Sequence, residues 1–253
     1  MKVGLVLSGG GIRGVSHLGV IKALAENGIS ISHISGTSAG AIAAVFYAAG
    51  LSPEKILEII VKVKPGNFVR PGFPGYGLLK TAPVQKLFEK YLPVENFEEL
   101  NIPVTVSITR LKDAKTCYYS SGPIAQVLTA SSAVPVVFTP VKIDGIDYVD
   151  GGIVNNLPVE PVAHCDKVIG SLCNPIDENF NVKNMRSLVE RTLLIAVNTN
   201  TYSRREKCDV ILEPEGLKQM RVFSMSKAAE IFRIGYEYTL EQMGEIKRRL
   251  GMN

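Results

Sequence analysis

The 253-residue sequence has no tryptophan, three histidines and four cysteines, and it shows neither a long block of like charge nor a long unbroken apolar run. Each shortage removes a class of protein. Cys117, Cys165, Cys173 and Cys208 have neither the CxxC spacing of a zinc site nor the density of a secreted disulfide scaffold, so free thiols in a reducing cytoplasm are expected. His164-Cys165 with Cys173 lacks the second close ligand pair that a metal centre needs, and no metal or other cofactor is expected. The net charge is only +4, and apart from Arg204-Arg205 and Lys247-Arg248-Arg249 the basic residues are dispersed. That pattern fits solvated helix faces and speaks against a nucleic-acid partner. The opening MKVGLVLSGGG breaks its apolar run with glycines before a signal-peptide core forms. The longest small-apolar stretch, Ala39 to Leu51, falls short of the about 20 residues a bilayer span requires.

What remains is an ordinary globular composition: 46% hydrophobic residues, with 23 glycines and 14 prolines and no linker-like tract. These values suit one α/β domain over residues 1–253. Lys2 to Leu7 is apolar without alternation, as a strand buried on both faces should be, and runs into a glycine cluster. Leu18, Ile21, Leu24 and Ala25 then recur at helical spacing up to the stop at Asn27-Gly28. A strand over Ile29–Ser35 and a helix over Ser38–Ala49 complete a β-α-β-α opening, which predicts a mostly parallel sheet with helical layers, a three-layer sandwich. Further on, helices are predicted at Pro53–Lys62, Leu79–Tyr91, Pro123–Ala130, Lys183–Val197 and Met225–Leu250, and strands at Val104–Thr109, Thr116–Ser120, Val168–Leu172 and Val210–Leu212. Val141 to Val149 reads as a hairpin turning at Asp144-Gly145.

Gly36-Thr37-Ser38-Ala39-Gly40 is a G-x-S-x-G between a predicted strand and a predicted helix, the context of a nucleophile elbow. Gly36 and Gly40 would let strand and helix approach, while the helix N-terminus would aim free amides at developing negative charge. A serine that merely caps a helix is the competing reading. Gly9-Gly10-Gly11-Ile12-Arg13-Gly14 also follows a strand. It lacks the acidic partner about 20 residues on that a dinucleotide site needs, and Val15 stands where a phosphate loop carries lysine. An oxyanion-binding loop remains, with Arg13 adding positive charge beside it.

A serine nucleophile needs a base, and His17, His33 and His164 each read better as structural residues than as that base. Asp150-Gly151-Gly152 frames a carboxylate after the hairpin strand, against the alternative of an Asx turn leading into Asn155-Asn156. A Ser38…Asp150…His164 triad has the chain order of α/β-hydrolases, but two predicted strands before the elbow are too few for that fold.

The three glycine-framed motifs, in this order, resemble the patatin-like phospholipases. Ala130-Ser131-Ser132-Ala133-Val134-Pro135-Val136-Val137-Phe138-Thr139-Pro140 resembles the segment that precedes the family's aspartate, and the resemblance covers about residues 3–158. It implies a patatin-like fold and a serine hydrolase in which Ser38 attacks and Asp150 is the base. It further implies an oxyanion hole at Gly9, Gly10 and Gly11 helped by Arg13, with Gly14, Gly36, Gly40, Gly151 and Gly152 in support. The implied substrates are phospholipids, lysophospholipids or simpler esters. A non-enzymatic, fatty-acid-binding protein on the same scaffold is the other class to weigh. The irregular segment 65–77, with Phe68, Arg70, Phe73 and Tyr76, suits a peripheral membrane contact and equally a packed surface loop. The helical C-terminal part, residues 183–253, carries no matched motif.

Overall fold

The computed structural model describes residues 1–63, 79–220 and 225–252, without the side chains of Arg186 and Met225. The 65–77 segment therefore lies outside the described residues. The core is an eight-stranded sheet built from β1 (Val3–Leu7), β2 (His33–Thr37), β3 (Val104–Arg110), β4 (Lys115–Tyr119), β5 (Val141–Ile143), β6 (Ile146–Asp150), β7 (Lys167–Ser171) and β8 (Val210–Leu212). The ladder β3-β2-β1-β7-β8 is parallel, and β4, β5 and β6 join its β3 end antiparallel. This is the predicted α/β architecture with a mostly parallel central sheet.

Alternation along β1 divides the core. Val3, Leu5 and Leu7 point into the main cluster, beneath α1 (Ser16–Glu26), α2 (Ala39–Ala48), α3 (Pro53–Lys62), α4 (Ala82–Tyr91) and α5 (Ile124–Ser131). Val6 points the other way, against Leu157, Val159 and Val162. The main cluster also takes in Ile231, Ile246 and Leu250 from α7 (Ala228–Glu241) and α8 (Met243–Leu250). α7 crosses α1 at closest range where glycine meets backbone. A Cβ on Gly19 would lie 2.2 Å from the Phe232 carbonyl, and one on Gly235 would lie 2.1 Å from that of Ser16.

Four elements depart from the sequence expectation. The second strand is His33–Thr37, because the Ile29 amide donates to the Leu24 carbonyl and closes α1, with Gly28 in the left-handed region at φ 76°. α4 begins at Ala82, since Leu79 bridges to Phe138 and Pro83 sits in the first turn. α6 (Met185–Arg205) runs past Val197 because Asn198 and Asn200 spend their amides on tertiary contacts instead of breaking the helix. The closing helix is two, α7 and α8, parted at Gln242 just before Met243-Gly244. The Asp144-Gly145 turn holds, with positive φ at both residues.

Candidate active site

The sheet register brings Ser38 and Asp150 together. β4 occupies one edge of β3 from Val106 to Arg110, so β2 and β6 share the other edge and meet end to end. Thr37 pairs with Ser107 and Asp150 with Ile108, adjacent positions on β3. Ser38, the next residue after Thr37, thus arrives beside the last residue of β6.

Ser38 is buried and has φ 52°, a left-handed conformation that costs a non-glycine residue of order 1–3 kcal/mol and must be held by its surroundings. Its amide donates to Ser131 Oγ at 2.8 Å, and that hydroxyl donates to the Ser107 carbonyl at 2.8 Å. Gly40 lets α2 start against the end of β1, since a Cβ there would stand 2.3 Å from the Leu7 carbonyl. Asp150 is equally enclosed. Its amide donates to the Ala133 carbonyl at 3.0 Å, and its Oδ1 accepts from the Gly152 amide at 2.8 Å. The Ser131–Ala133 segment is therefore a splint that touches both residues.

Burial raises the Asp150 carboxyl to about 6, while hydrogen bonds from the Ser38 hydroxyl and the Gly152 amide pull it back toward the ionised form. At neutral pH it is a carboxylate with a serine hydroxyl against it. Its affinity for a proton is well above that of a solvated aspartate.

The glycine loop after β1 closes the other side. The Gly9 amide donates to Asn156 Oδ1 at 3.1 Å, and the Gly9 carbonyl accepts from Asn156 Nδ2 and Asn174 Nδ2. Gly9 is thus a fastening point. The Gly10 and Gly11 amides have no hydrogen-bond acceptor among the described residues, and both glycines line the same cavity as Ser38. Arg13 is directed elsewhere: its guanidinium donates to the Met220 and Lys218 carbonyls and faces a neighbouring polar cavity of about 530 Å³. Of the supporting glycines, Gly14 abuts Ala39, Gly36 abuts Ala41, and Gly151 abuts the Ser107 carbonyl.

His17 lies beneath the loop, neutral, with burial lowering it to about 4. Its Nε2–H donates to the Ser8 carbonyl, which leaves Nδ1 to accept from Ser171 Oγ, each at 2.8 Å. His33 and His164 form an edge-on ring pair, 5.2 Å between centroids, at the end of β2 remote from Ser38. No histidine lines the Ser38 cavity among the described residues.

The residues whose part in the site sequence reasoning missed are amides and one hydroxyl, Ser131, that lies in the matched 130–140 segment but was given no role there. Asn156 ties the glycine loop to the Asp150 turn, Asn174 presents an unpaired, buried Oδ1 at the cavity, and Ser131 holds the Ser38 amide. Asn200, on α6, donates to the Gly152 carbonyl at 2.8 Å and accepts the Asn156 amide at 2.9 Å. Asn198 and Asn200 lie past Val197, where the sequence pattern ends the helix, so their mid-helix placement becomes visible only in the structure.

The cavity measures about 90 Å³, and Val134, Ile153, Leu193, Leu194 and Val197 give it an apolar roof over Ser38 and Asp150, with Glu190 of α6 as a second carboxylate on its lining. A second apolar cavity, about 220 Å³, lies among α2, α3 and α4 with Ser132 at its wall. Among the described residues, no cluster of His, Cys, Asp and Glu has the form of a metal site, and no helix is long and apolar enough to cross a membrane.

Residues 5–163 match the family model for patatin-like phospholipase. An uncharacterized NTE family protein of Mycobacterium tuberculosis is 33% identical over 164 residues, covering 64% of this chain and 46% of that protein. Lysophospholipase NTE1 of Kluyveromyces lactis is 28% identical over 274 residues, covering 93% of this chain and 19% of that protein. The chain spans less than half the length of these curated relatives. VipD from Legionella pneumophila shares the fold, with a TM-score of 0.65 and 17% identity over 96% of this chain and 67% of that one.

Proposed function

The chain belongs to the patatin-like phospholipase family, and from that premise we propose that it is a serine acyl hydrolase of lipid esters. The observation that carries the reading is the meeting of Ser38 and Asp150 on adjacent positions of β3, in an apolar cavity that also exposes the Gly10 and Gly11 amides. Asp150 accepts the hydroxyl proton as Ser38 Oγ bonds to the ester carbon. The carbonyl oxygen becomes an oxyanion that the Gly10 and Gly11 amides receive, a contribution of several kcal/mol when such donors are fixed in advance. Asp150 returns the proton to the departing alcohol as the ester C–O bond breaks, leaving acyl-Ser38. Water then repeats the sequence, with Asp150 taking its proton, and releases the fatty acid. Asp150 is fitted to both steps, because burial has narrowed the gap between its proton affinity and that of the serine.

Arg13 acts here as a staple between the glycine loop and the 215–220 segment, with its charge outside the reacting cavity. The setting we propose is a peripheral, cytoplasmic enzyme that meets lipid at the bilayer surface.

The test compares wild type with Ser38→Ala and Asp150→Asn on p-nitrophenyl butyrate and on a phospholipid panel. Both substitutions should lower hydrolysis by about 10³-fold or more. A fluorophosphonate probe should label wild type and not Ser38→Ala. Activity surviving either substitution, or labelling at another residue, overturns the assignment. His164→Ala should leave hydrolysis within about twofold, and a collapse would restore the triad reading.

A further inference from the structure

The inner face of α6 roofs the Ser38 cavity through Leu193, Leu194 and Val197 beside Glu190, while an uncharged stripe runs along its outer face. Met185, Leu188, Thr192, Ile195, Thr199 and Tyr202 follow one another at alternating steps of three and four, which aligns them on one side of the helix. At 100° per residue, that stripe lies opposite the three cavity residues. Met185 is 74% exposed, Ile195 51% and Tyr202 75%. Over roughly 25 Å of helix, at about 1.5 Å per residue, a continuous apolar and hydroxylic surface meets solvent. Scattered apolar residues on a surface are ordinary, whereas an aligned stripe this long marks a contact face.

The charge distribution identifies the partner. Lys183, Arg186, Arg191, Arg204, Arg205 and Lys207 lie between Val182 and Lys207, against Glu190 and Glu206 alone. Six of the 28 basic and two of the 24 acidic residues fall there, which leaves 22 of each sign in the rest of the chain. Arg204 and Lys207 pair with Glu160 and Arg205 pairs with Glu213, so the unbalanced part of this charge lies toward the start of α6, where Lys183, Arg186 and Arg191 stand against Glu190. An uncharged apolar stripe on a helix that keeps a positive balance toward one end is a surface that an amphipathic helix offers to an anionic membrane.

We propose that the outer face of α6 docks on an anionic lipid bilayer, so that one helix lies on the membrane with one side and covers the Ser38 cavity with the other. The choice of a lipid surface rests on the lipid-hydrolase reading; the exposed stripe and its charge stand apart from it. On a membrane, a lipid leaving the bilayer reaches the cavity past a single helix.

The experiment uses the absence of tryptophan from the chain. Ile195→Trp provides one fluorophore in the stripe, and Val61→Trp, at an exposed position on α3, provides a control. With vesicles of equimolar phosphatidylcholine and phosphatidylglycerol, the emission of the Ile195→Trp protein should shift to the blue while that of the Val61→Trp protein stays put. In co-sedimentation, Leu188→Gln/Ile195→Gln/Tyr202→Gln should bind these vesicles about tenfold or more weakly than wild type, and wild type should bind phosphatidylcholine vesicles weakly. The same triple variant should hydrolyse p-nitrophenyl butyrate at the wild-type rate, and its circular dichroism melt should match. Unshifted emission from the Ile195→Trp protein, equal vesicle binding by the triple variant, or a wild-type dimer that the substitutions convert to monomer overturns the proposal. Binding by Ser38→Ala is read in parallel. A failure of the hydrolase reading shows as wild-type protein that binds vesicles without hydrolysing p-nitrophenyl butyrate, or as Ser38→Ala retaining hydrolysis, and a failure of docking shows as Ser38-dependent hydrolysis without vesicle binding.

Discussion

The strand-end framework around Ser38 and the helix α6 above it are made on opposite plans. In the framework, the Ser38 amide, the Asp150 amide and carboxylate and both polar groups of Gly9 have partners within the protein. α6 is almost the reverse: of its side chains described, Thr201 alone is buried, and its apolar residues divide between a small cavity and solvent. The difference teaches that the groups around Ser38 and Asp150 are held by internal hydrogen bonds, while the α6 wall of the cavity is held by a few amides. The cavity of about 90 Å³ is small beside a long acyl chain, and α6 forms one of its walls.

The largest effect that would sharpen this contrast is at Asp150. Its carboxyl titrates near 3.8 when unfolded and near 6 when folded, so the folded state holds the proton more tightly. That contribution to stability is complete below about pH 4 and is lost as pH rises through 6. At pH 8, Asp150→Asn should therefore raise stability by up to about 3 kcal/mol while abolishing hydrolysis. A less stable variant in urea titration would mean that the framework is not strained by its own carboxylate. His17 has the opposite sign, because its folded value near 4 lies below the ordinary 6.5, and its contribution is lost as pH falls. The proposed mechanism needs ionised Asp150, so kcat/KM should rise through about pH 6 to a plateau.

Ser131→Ala comes next. It strands the Ser38 amide and should cost about 1–3 kcal/mol of stability, with a loss of kcat of about 10- to 100-fold as the turn relaxes. Equal activity would show that Ser38 needs no splint. Smallest is Asn200→Ala on α6, expected to lower kcat/KM for p-nitrophenyl butyrate by less than about fivefold, since it removes contacts to the Gly152 carbonyl and the Asn156 amide and no reacting group. Were it as damaging as Ser131→Ala, α6 would belong to the framework and the contrast would fail.

The sequence showed the framework more clearly than its fastenings. Ser38, Asp150 and the loop glycines were legible because close backbone approach demands glycine beside each, as at Gly40 against Leu7 and Gly151 against Ser107. Asn156, Asn174 and Ser131 were not, because a hydrogen bond across more than 90 residues leaves no local pattern. Arg13 was read by its place in a motif, whereas its side chain follows the route its length allows, to the 218–220 carbonyls. The Ile29–Ser35 strand misplaced its start by the residues that finish the α1 cap.

The crossing of α1 and α7 ties the completion of the site to the order of synthesis. The glycine loop leads directly into α1, and the backbone that covers Gly19 arrives on the order of 200 residues later in the chain. At about 5–20 residues per second, a nascent chain carries Ser38 for some ten seconds or more with that face of α1 bare. The glycine loop beside Ser38 therefore lacks that backing until α7 has emerged, and the framework is complete only when nearly all of this sequence has been made.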